Sequence, residues 1–435
     1  MNKVNNFMND VEIKLSIKEN KYNIPLNLLF DFAVSDYKIK ELIPISTVVG
    51  CFSPSKTYIP LLMGALLANE ISSDKYLYEI RDSIINSIGN ENSRLKILME
   101  YLENNRLYIY RKTLLIGLDN VSPSIGHATF NYLDGNINFI HTTKEEMLNL
   151  TSDACYKNYT TNTKHFCYGE KRELFRALDR VVIVDSDVST GIMDLIKDIY
   201  IKYGIKEYEY VSIVDMRSVK DLDEYEKFQK ELGINITFKS LIKGEYKNQF
   251  NDLKLDKKEV VYEQSNISVR VKQIQSSYVH YNKIKNSNPE REHFLVGTGK
   301  FGVNRKNHEL YINEITEKTK RYNPTINKNT LVIGFGEFSF IPMMITNSIN
   351  KDSDFLIPTN VRVLTSNEEG YPIKSVDKIA CPNGTNHYYY LYNLEDKDYD
   401  NVVVFLEREP QRSFIEEMKM ILYKRKIKQL EIIHY

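Results

Sequence analysis

Thirteen residues constrain the fold of this chain more than any others: residues 181–193, VVIVDSDVSTGIM. Four β-branched apolar residues in a row read as a strand buried on both faces, the habit of a parallel sheet. An acidic cluster follows, then Ser-Thr-Gly, then a helical pattern in GIMDLIKDIYIKYG. A strand that turns directly into a helix presents backbone N–H groups and the positive end of the helix dipole at the turn. Ser189, Thr190 and Gly191, with the N–H groups of Ile192 and Met193, are suited to cradle a phosphate there. Asp185 and Asp187, with Ser186 between them and Val188 after, are placed to hold ribose hydroxyls or a magnesium ion. The same pattern also arises in α/β proteins whose acids are incidental.

Two commoner phosphate signatures are missing at this point. No GxxxxGK[ST] occurs, and no GxGxxG follows the strand. The 435 residues leave room for two or three domains, each with its own core. The 58 basic and 58 acidic residues cancel, so there is no overall electrostatic footprint for nucleic acid or an anionic membrane. Cys51, Cys155, Cys167 and Cys381 lack CxxC spacing, which suggests neither a zinc site nor a disulfide frame. Cys155 and Cys167 read as free thiols or as a redox pair. The first fifteen residues lack the apolar core of a signal peptide, and the apolar stretch 59–68 is too short to span a bilayer. The expectation is a soluble, cytoplasmic protein.

From residue 113 onward, apolar runs alternate with helical patterns. TLLIGL, INFIHTT, VVIVD and YEYVSIVD read as strands, with helices at SIGHATFNYL, GEKRELFRALD and from Thr190. Strands spaced by crossover helices imply a parallel sheet that binds ligands at its C-terminal strand ends. The polar stretch 147–168 is too long for an ordinary connection and reads as a lid, with Lys157, Lys164 and His165 as its cations, or as a disordered loop. Before residue 113 the pattern is helical, notably at 58–70 and 75–102, in a region expected to pack on the sheet or cover its substrate. EVVYEQSNISVRVKQI alternates apolar and polar residues, as an antiparallel connecting segment would. A second α/β unit then follows, with strands in NTLVIGFGEF, VRVLTS, NVVVFLE and KQLEIIHY.

The pattern of four apolar residues, acids and Ser-Thr-Gly resembles the phosphoribosyl-diphosphate (PRPP) motif of type I phosphoribosyltransferases. The order GLDNVSPSIG, HTTK, polar lid, VDSDVSTG is similar to the orotate-phosphoribosyltransferase-like domain of bacterial tellurium-resistance (Ter) stress operons. That family usually carries a C-terminal TRSP domain. LVGTGKFGVNR, LVIGFGEFSFIP, VRVLTSNEEGYPI, HYYYLYNL and YDNVVVFLE stand in the succession that such a partner has. This sequence departs from the family pattern at three places. Ser186 replaces the second acid, Lys144 replaces an arginine, and Thr365-Ser366-Asn367 stands in place of Thr-Arg-Ser-Pro.

The resemblance implies an α/β protein: a parallel-sheet type I phosphoribosyltransferase domain over 20–250, a linker with an antiparallel connecting segment over 251–290, and a second, Rossmann-like TRSP domain over 291–435. It implies a Mg²⁺- and PRPP-dependent transferase acting on a nitrogenous, base-like acceptor, in synthesis of a nucleotide-like metabolite of a stress response. Such chemistry displaces pyrophosphate through a cationic sugar-like transition state and needs binding and water exclusion rather than a covalent intermediate. Asp185, assisted by Asp187, would hold ribose and metal, and 189–191 the 5′-phosphate. Gly117, Leu118 and Asp119 would form the pyrophosphate loop, with Lys144 as its cation or as an ordinary solvated lysine. The implied partners are PRPP and the base, a second copy of the chain, and other enzymes of the same operon, without membrane or nucleic acid. A catalytically silent PRPP or nucleotide sensor is the alternative, and an interaction scaffold a second one. In the second domain, Gly334, Gly336 and Glu337 at a strand–helix turn read as a ligand site or as tight-turn geometry, and so do Gly297, Gly299 and Lys300.

Overall fold

The structure is a computed structural model that describes residues 2–8, 11–37, 41–72, 80–89, 94–118, 123–158, 163–169, 172–188, 191–250, 267–285, 288–384, 387–395 and 397–435. The apolar runs named above become the centre of an eight-stranded sheet. Its order is Asn2–Met8, Val11–Asn20, Asn235–Phe250, Glu207–Asp215, Arg180–Asp187, Leu107–Gly117, Leu133–His141 and Val303–Asn304. The five strands from Asn235–Phe250 to Leu133–His141 run parallel, and the outer ones antiparallel. Val181 to Val184 are fully buried because helices cover both faces. Tyr58–Ser72 and Pro123–Asn131 pack on one face, in the same core as Val182 and Val184. Ile192–Tyr203 packs on the other, with Val181 and Ile183. Tyr58–Ser72 is apolar all round and buried nearly throughout, as such a helix must be.

A second sheet has the order Ser268–Gln273, Gln429–His434, Asn401–Leu406, Thr330–Gly334, Asp354–Leu356 and Ser55–Lys56. All its pairs are parallel except the last. The protein is thus α/β with two mainly parallel sheets. Each half also lends a strand to the other's sheet: Ser55–Lys56 edges the second, and Val303–Asn304 the first. Boundaries drawn at 250 and 291 cut across this exchange.

Four local expectations need correction. Before Tyr58 the chain forms strands, including Val11–Asn20, Phe30–Val34 and Leu42–Ser46, rather than helices. These pair with one another or with the sheet edge, a partnership that helical periodicity does not show. GEKRELFRALD yields a short 3₁₀ turn at Arg172–Phe175, since the strand begins at Arg180. Ser268–Gln273 is a parallel edge strand of the second sheet, and the antiparallel hairpin lies after it, at Tyr278–Lys285 and Asn288–Leu295. VRVLTS forms no strand; Val363 makes an isolated bridge to Ser35.

Candidate functional site

In the first sheet, Leu107–Gly117 leads outward to Leu133–His141, while Arg180–Asp187 leads the opposite way to Glu207–Asp215. The crevice between these two central strands, at their C-terminal ends, is the switch point where α/β sheets bind ligands. Asp185 stands there, 2 % exposed. Its Oδ1 accepts the Ser186 N–H at 2.8 Å, and its Oδ2 accepts the Tyr210 hydroxyl at 3.3 Å. Tyr210 also lies 3.3 Å from the Asp187 carbonyl, bracing both acids from the neighbouring strand. Ser186 donates to Asp187 Oδ1 at 3.0 Å. Burial raises the Asp187 carboxyl above its usual range, and the Ser186 hydrogen bond opposes the shift.

The turn itself is partly committed to packing. Val188 N–H donates to the Val214 carbonyl at 3.3 Å, Ile192 is fully buried, and Met193 packs against the same core. Gly191 is the N-cap of Ile192–Tyr203, with no side-chain cap. Ser189, Thr190 and Asp119 lie outside the described residues. Gly117 and Leu118 do reach the crevice, but their atoms are largely engaged. Leu118 donates its N–H to Val184 at 3.2 Å and buries its side chain, and the Gly117 carbonyl accepts from Thr142 at 2.9 Å. A Cβ on Gly126 would sit 2.6 Å from the Gly117 Cα, so the two glycines let helix and strand touch.

The polar stretch expected as a lid is a hairpin, Ala154–Asn158 paired with Thr163–Cys167. It docks on the helix after the turn: the Cys155 N–H donates to Asp198 at 2.9 Å. Lys157 brings its carbonyl oxygen within 3.7 Å of where a Gly191 Cβ would stand. His165 places its Nε2 3.0 Å from the Thr163 hydroxyl on its own strand. It is buried, stacked on Tyr156 at 4.8 Å, and burial holds its imidazole well below its usual value.

Lys144 goes elsewhere than Asp185–Met193. It lines a cavity of about 570 Å³ between the two halves, which none of the described residues within 185–193 lines. On the second-domain side the cavity opens past the ends of Thr330–Gly334 and Asn401–Leu406, lined by Phe335, Glu337, Leu406, Glu407 and Arg408. Strand order reverses between these two strands as well, so this is the second sheet's own switch point. Tyr388, Tyr389, Tyr390 and Arg362 form a further wall. Glu337 bridges the halves: its Oε1 accepts the Thr143 hydroxyl at 2.8 Å and the Lys144 N–H at 3.1 Å. Gly336 has φ +53°, and Gly334 is wedged against Phe355, so both serve the turn that presents Glu337.

Beneath the cavity lies a buried ion cluster. Lys300, 1 % exposed, sits 2.8 Å from Glu145 and 3.1 Å from both Glu337 and Glu407. Arg408 pairs with Glu145 at 2.7 Å and Glu292 at 3.1 Å, and Lys283 with Glu145 at 2.7 Å. Burial pushes the Glu145 carboxyl up, but Arg408, Lys300 and Lys283 outweigh it and hold it well below the usual carboxylate range. Glu337 is likewise held low, burial being outweighed chiefly by Lys300. The turn 297–302 delivers Lys300: Gly299 has φ +91°, and a Cβ there would meet Phe139 at 2.5 Å. Sequence reasoning missed Tyr210, Glu145, Glu407 and Arg408, because their partners lie tens to hundreds of residues away.

Among the described residues, no group of three His, Cys, Asp or Glu side chains is placed to hold a metal, and no helix is long and apolar enough to cross a membrane. The chain matches the model of a phosphoribosyl transferase family over residues 29–245, and that of the TRSP domain, C-terminal to that transferase domain, over 297–422. No curated protein matches it. Solved structures similar to it include adenine phosphoribosyl transferase from Trypanosoma brucei, in complex with AMP, pyrophosphate and ribose-5-phosphate, at 14 % identity and TM-score 0.25, covering 36 % of this chain and 68 % of that one. Another is adenine phosphoribosyltransferase from Rhodothermus marinus, at 10 % identity and TM-score 0.25, covering 50 % and 96 %. The Leishmania donovani enzyme gives 14 %, 0.22, 36 % and 68 %. Overlap this slight carries no weight for function.

Proposed function

Because the chain belongs to the phosphoribosyl transferase family and continues into a TRSP domain, we propose that its first sheet transfers the phosphoribosyl group of PRPP to a nitrogen of a base-like acceptor. The observation that carries this reading is the placement of Asp185 and Asp187 at the first sheet's switch point, directly before a helix N-terminus. The helix start would receive the 5′-phosphate, and Asp185, oriented by Tyr210, would hold the ribose hydroxyls. Pyrophosphate would leave from C1′ as the acceptor nitrogen bonds there, and the docked hairpin would limit the access of water. Gly117 and Leu118 would lie beside the pyrophosphate at the strand end, with the Leu118 N–H and the Gly117 carbonyl engaged by Val184 and Thr142.

Magnesium fits this donor set only in part. One or two carboxylates are present, and the remaining ligands would be pyrophosphate oxygens and water, the usual way this ion is bound. When bound, it would neutralise the charge of the departing pyrophosphate. Lys144 lines the cavity between the halves, so this step would run on the first crevice's own residues. The tellurium-resistance setting, the homodimer and the operon partners belong to this same proposal, supported by the domain pairing. A second reading, PRPP sensing without turnover, is favoured by Ser186 standing where a second acid belongs.

Calorimetric titration of PRPP with and without Mg²⁺, beside Asp185→Asn, tests the proposal. Magnesium-dependent binding that the variant loses supports it, and pyrophosphate release in a screen of bases separates the transferase from the sensor. No PRPP binding by the unaltered chain would sink both.

A further inference from the structure

We propose that the cavity between the two halves is a second ligand site, which takes a ribonucleoside monophosphate. The choice of ligand rests on the phosphoribosyl-transfer reading, since such a reaction releases that class of molecule. The site itself stands on separate observations. It occupies the second sheet's switch point, and its volume of about 570 Å³ lies in the range of small-molecule pockets, roughly 300–1,000 Å³.

The lining suits a nucleotide part by part. Phe335 and Tyr389, edge to face at 5.6 Å, with Tyr388 beside them, offer aromatic surface to a planar base. Glu337 lines the cavity, its Oε1 accepting from the Thr143 hydroxyl and the Lys144 N–H and its buried Oε2 lying 3.1 Å from Lys300. The carboxylate thus adds negative potential to the wall that a ligand's hydroxyl or amino hydrogens would face. Arg362, paired with Asp36 and its side chain 45 % exposed, and Lys144 bring cations from opposite halves, so a phosphate would share the guanidinium with Asp36.

The position of the cavity adds a connection with the first site. Lys144 lies three residues beyond Leu133–His141, which is two strands from Arg180–Asp187 in the same sheet. At about 4.8 Å between strands, that is a lateral offset of roughly 10 Å. A product leaving the first crevice therefore has a second, chemically matched cavity near the same sheet edge.

Calorimetry with AMP and UMP, on the full chain and three variants, tests this. The unaltered chain is expected to bind two equivalents, and Asp185→Asn one. Arg362→Ala should weaken the cavity site about tenfold for the monophosphates and leave the parent nucleosides unchanged. Glu337→Gln should weaken nucleotide and nucleoside alike. Arg362 is on the rim, so losing its pair with Asp36 and its place over Tyr37 and Tyr390 should cost its variant little stability and leave it folded. A single equivalent that Asp185→Asn abolishes overturns the proposal, as does nucleotide binding indifferent to both Arg362→Ala and Glu337→Gln. PRPP, titrated separately, tells the two claims apart. Its failure to bind, with AMP or UMP still seated at the cavity, would remove the transferase reading and keep the second site.

Discussion

Replacing Lys300 with methionine should loosen the junction between the two halves, and the ion cluster shows by how much. The ammonium is 1 % exposed and lies within 3.1 Å of Glu145, Glu337 and Glu407. Methionine fills the space without the charge. Glu145 would keep Arg408 and Lys283, and Glu407 the Leu295 N–H, but Glu337 would lose the cation that holds it ionised. Breaking a buried pair by removing one partner costs about 3–5 kcal/mol. With a urea m-value of about 3 kcal/mol/M, the midpoint at pH 7 should fall by roughly 1 to 1.7 M.

The pH dependence fixes the cause. In the unaltered protein Glu145 and Glu337 are held below the ordinary glutamate value of 4.5. Their contribution is therefore complete above that value and lost as the pH falls through the lower folded values. In the variant, uncompensated burial raises Glu337 instead, so protonation relieves the penalty and the difference between the proteins should narrow from pH 7 to pH 5. Adding Glu337→Gln to Lys300→Met should recover about 0.5–3 kcal/mol relative to the sum of the single changes. A midpoint within 0.3 M of the unaltered chain at pH 7, an m-scaled cost of roughly 1 kcal/mol, would refute the reasoning.

Three further outcomes are expected. Gly126→Ala, whose new Cβ would meet the Gly117 Cα at 2.6 Å, should cost about 1–3 kcal/mol in thermal unfolding; an unchanged melting temperature would deny the close contact. Tyr210→Phe should weaken PRPP binding by a few-fold, matching the loss of one hydrogen bond of about 0.5–1.5 kcal/mol, and equal affinities would show that Asp185 needs no brace. His127 and His308 are buried with imidazoles held well below 6.5, chiefly by burial, so the unfolded chain binds more protons. Stability should fall as the pH drops below 6.5, and His308→Gln should flatten that slope in urea titrations from pH 7 to 5.

How much was legible differs between the two sites. The crevice of the first sheet could be read from residues 181–193 because strand, acids, turn and helix are contiguous, and local pattern fixes local structure. The same holds for the parallel sheets, whose strands announce themselves as β-branched runs. Strands before Tyr58 and the absence of one at 361–366 were not legible, since an edge strand is decided by what lies beside it. Lys144 shows the difference most clearly. Its position after His-Thr-Thr placed it at a strand end, but only packing joined its backbone N–H to Glu337, 193 residues away.

What the amino-acid sequence determined by itself is the strand–turn–helix at 181–193, with Asp185 and Asp187 carried to the C-terminal edge of a parallel sheet. Periodicity and chain direction suffice for that. Tertiary structure decided that Tyr210 braces Asp185, that Lys300 gathers three carboxylates, and that two switch points lie near one sheet edge. Those contacts join residues 25 to 155 positions apart, and a sequence does not encode them in any local pattern; they exist only once both cores have closed.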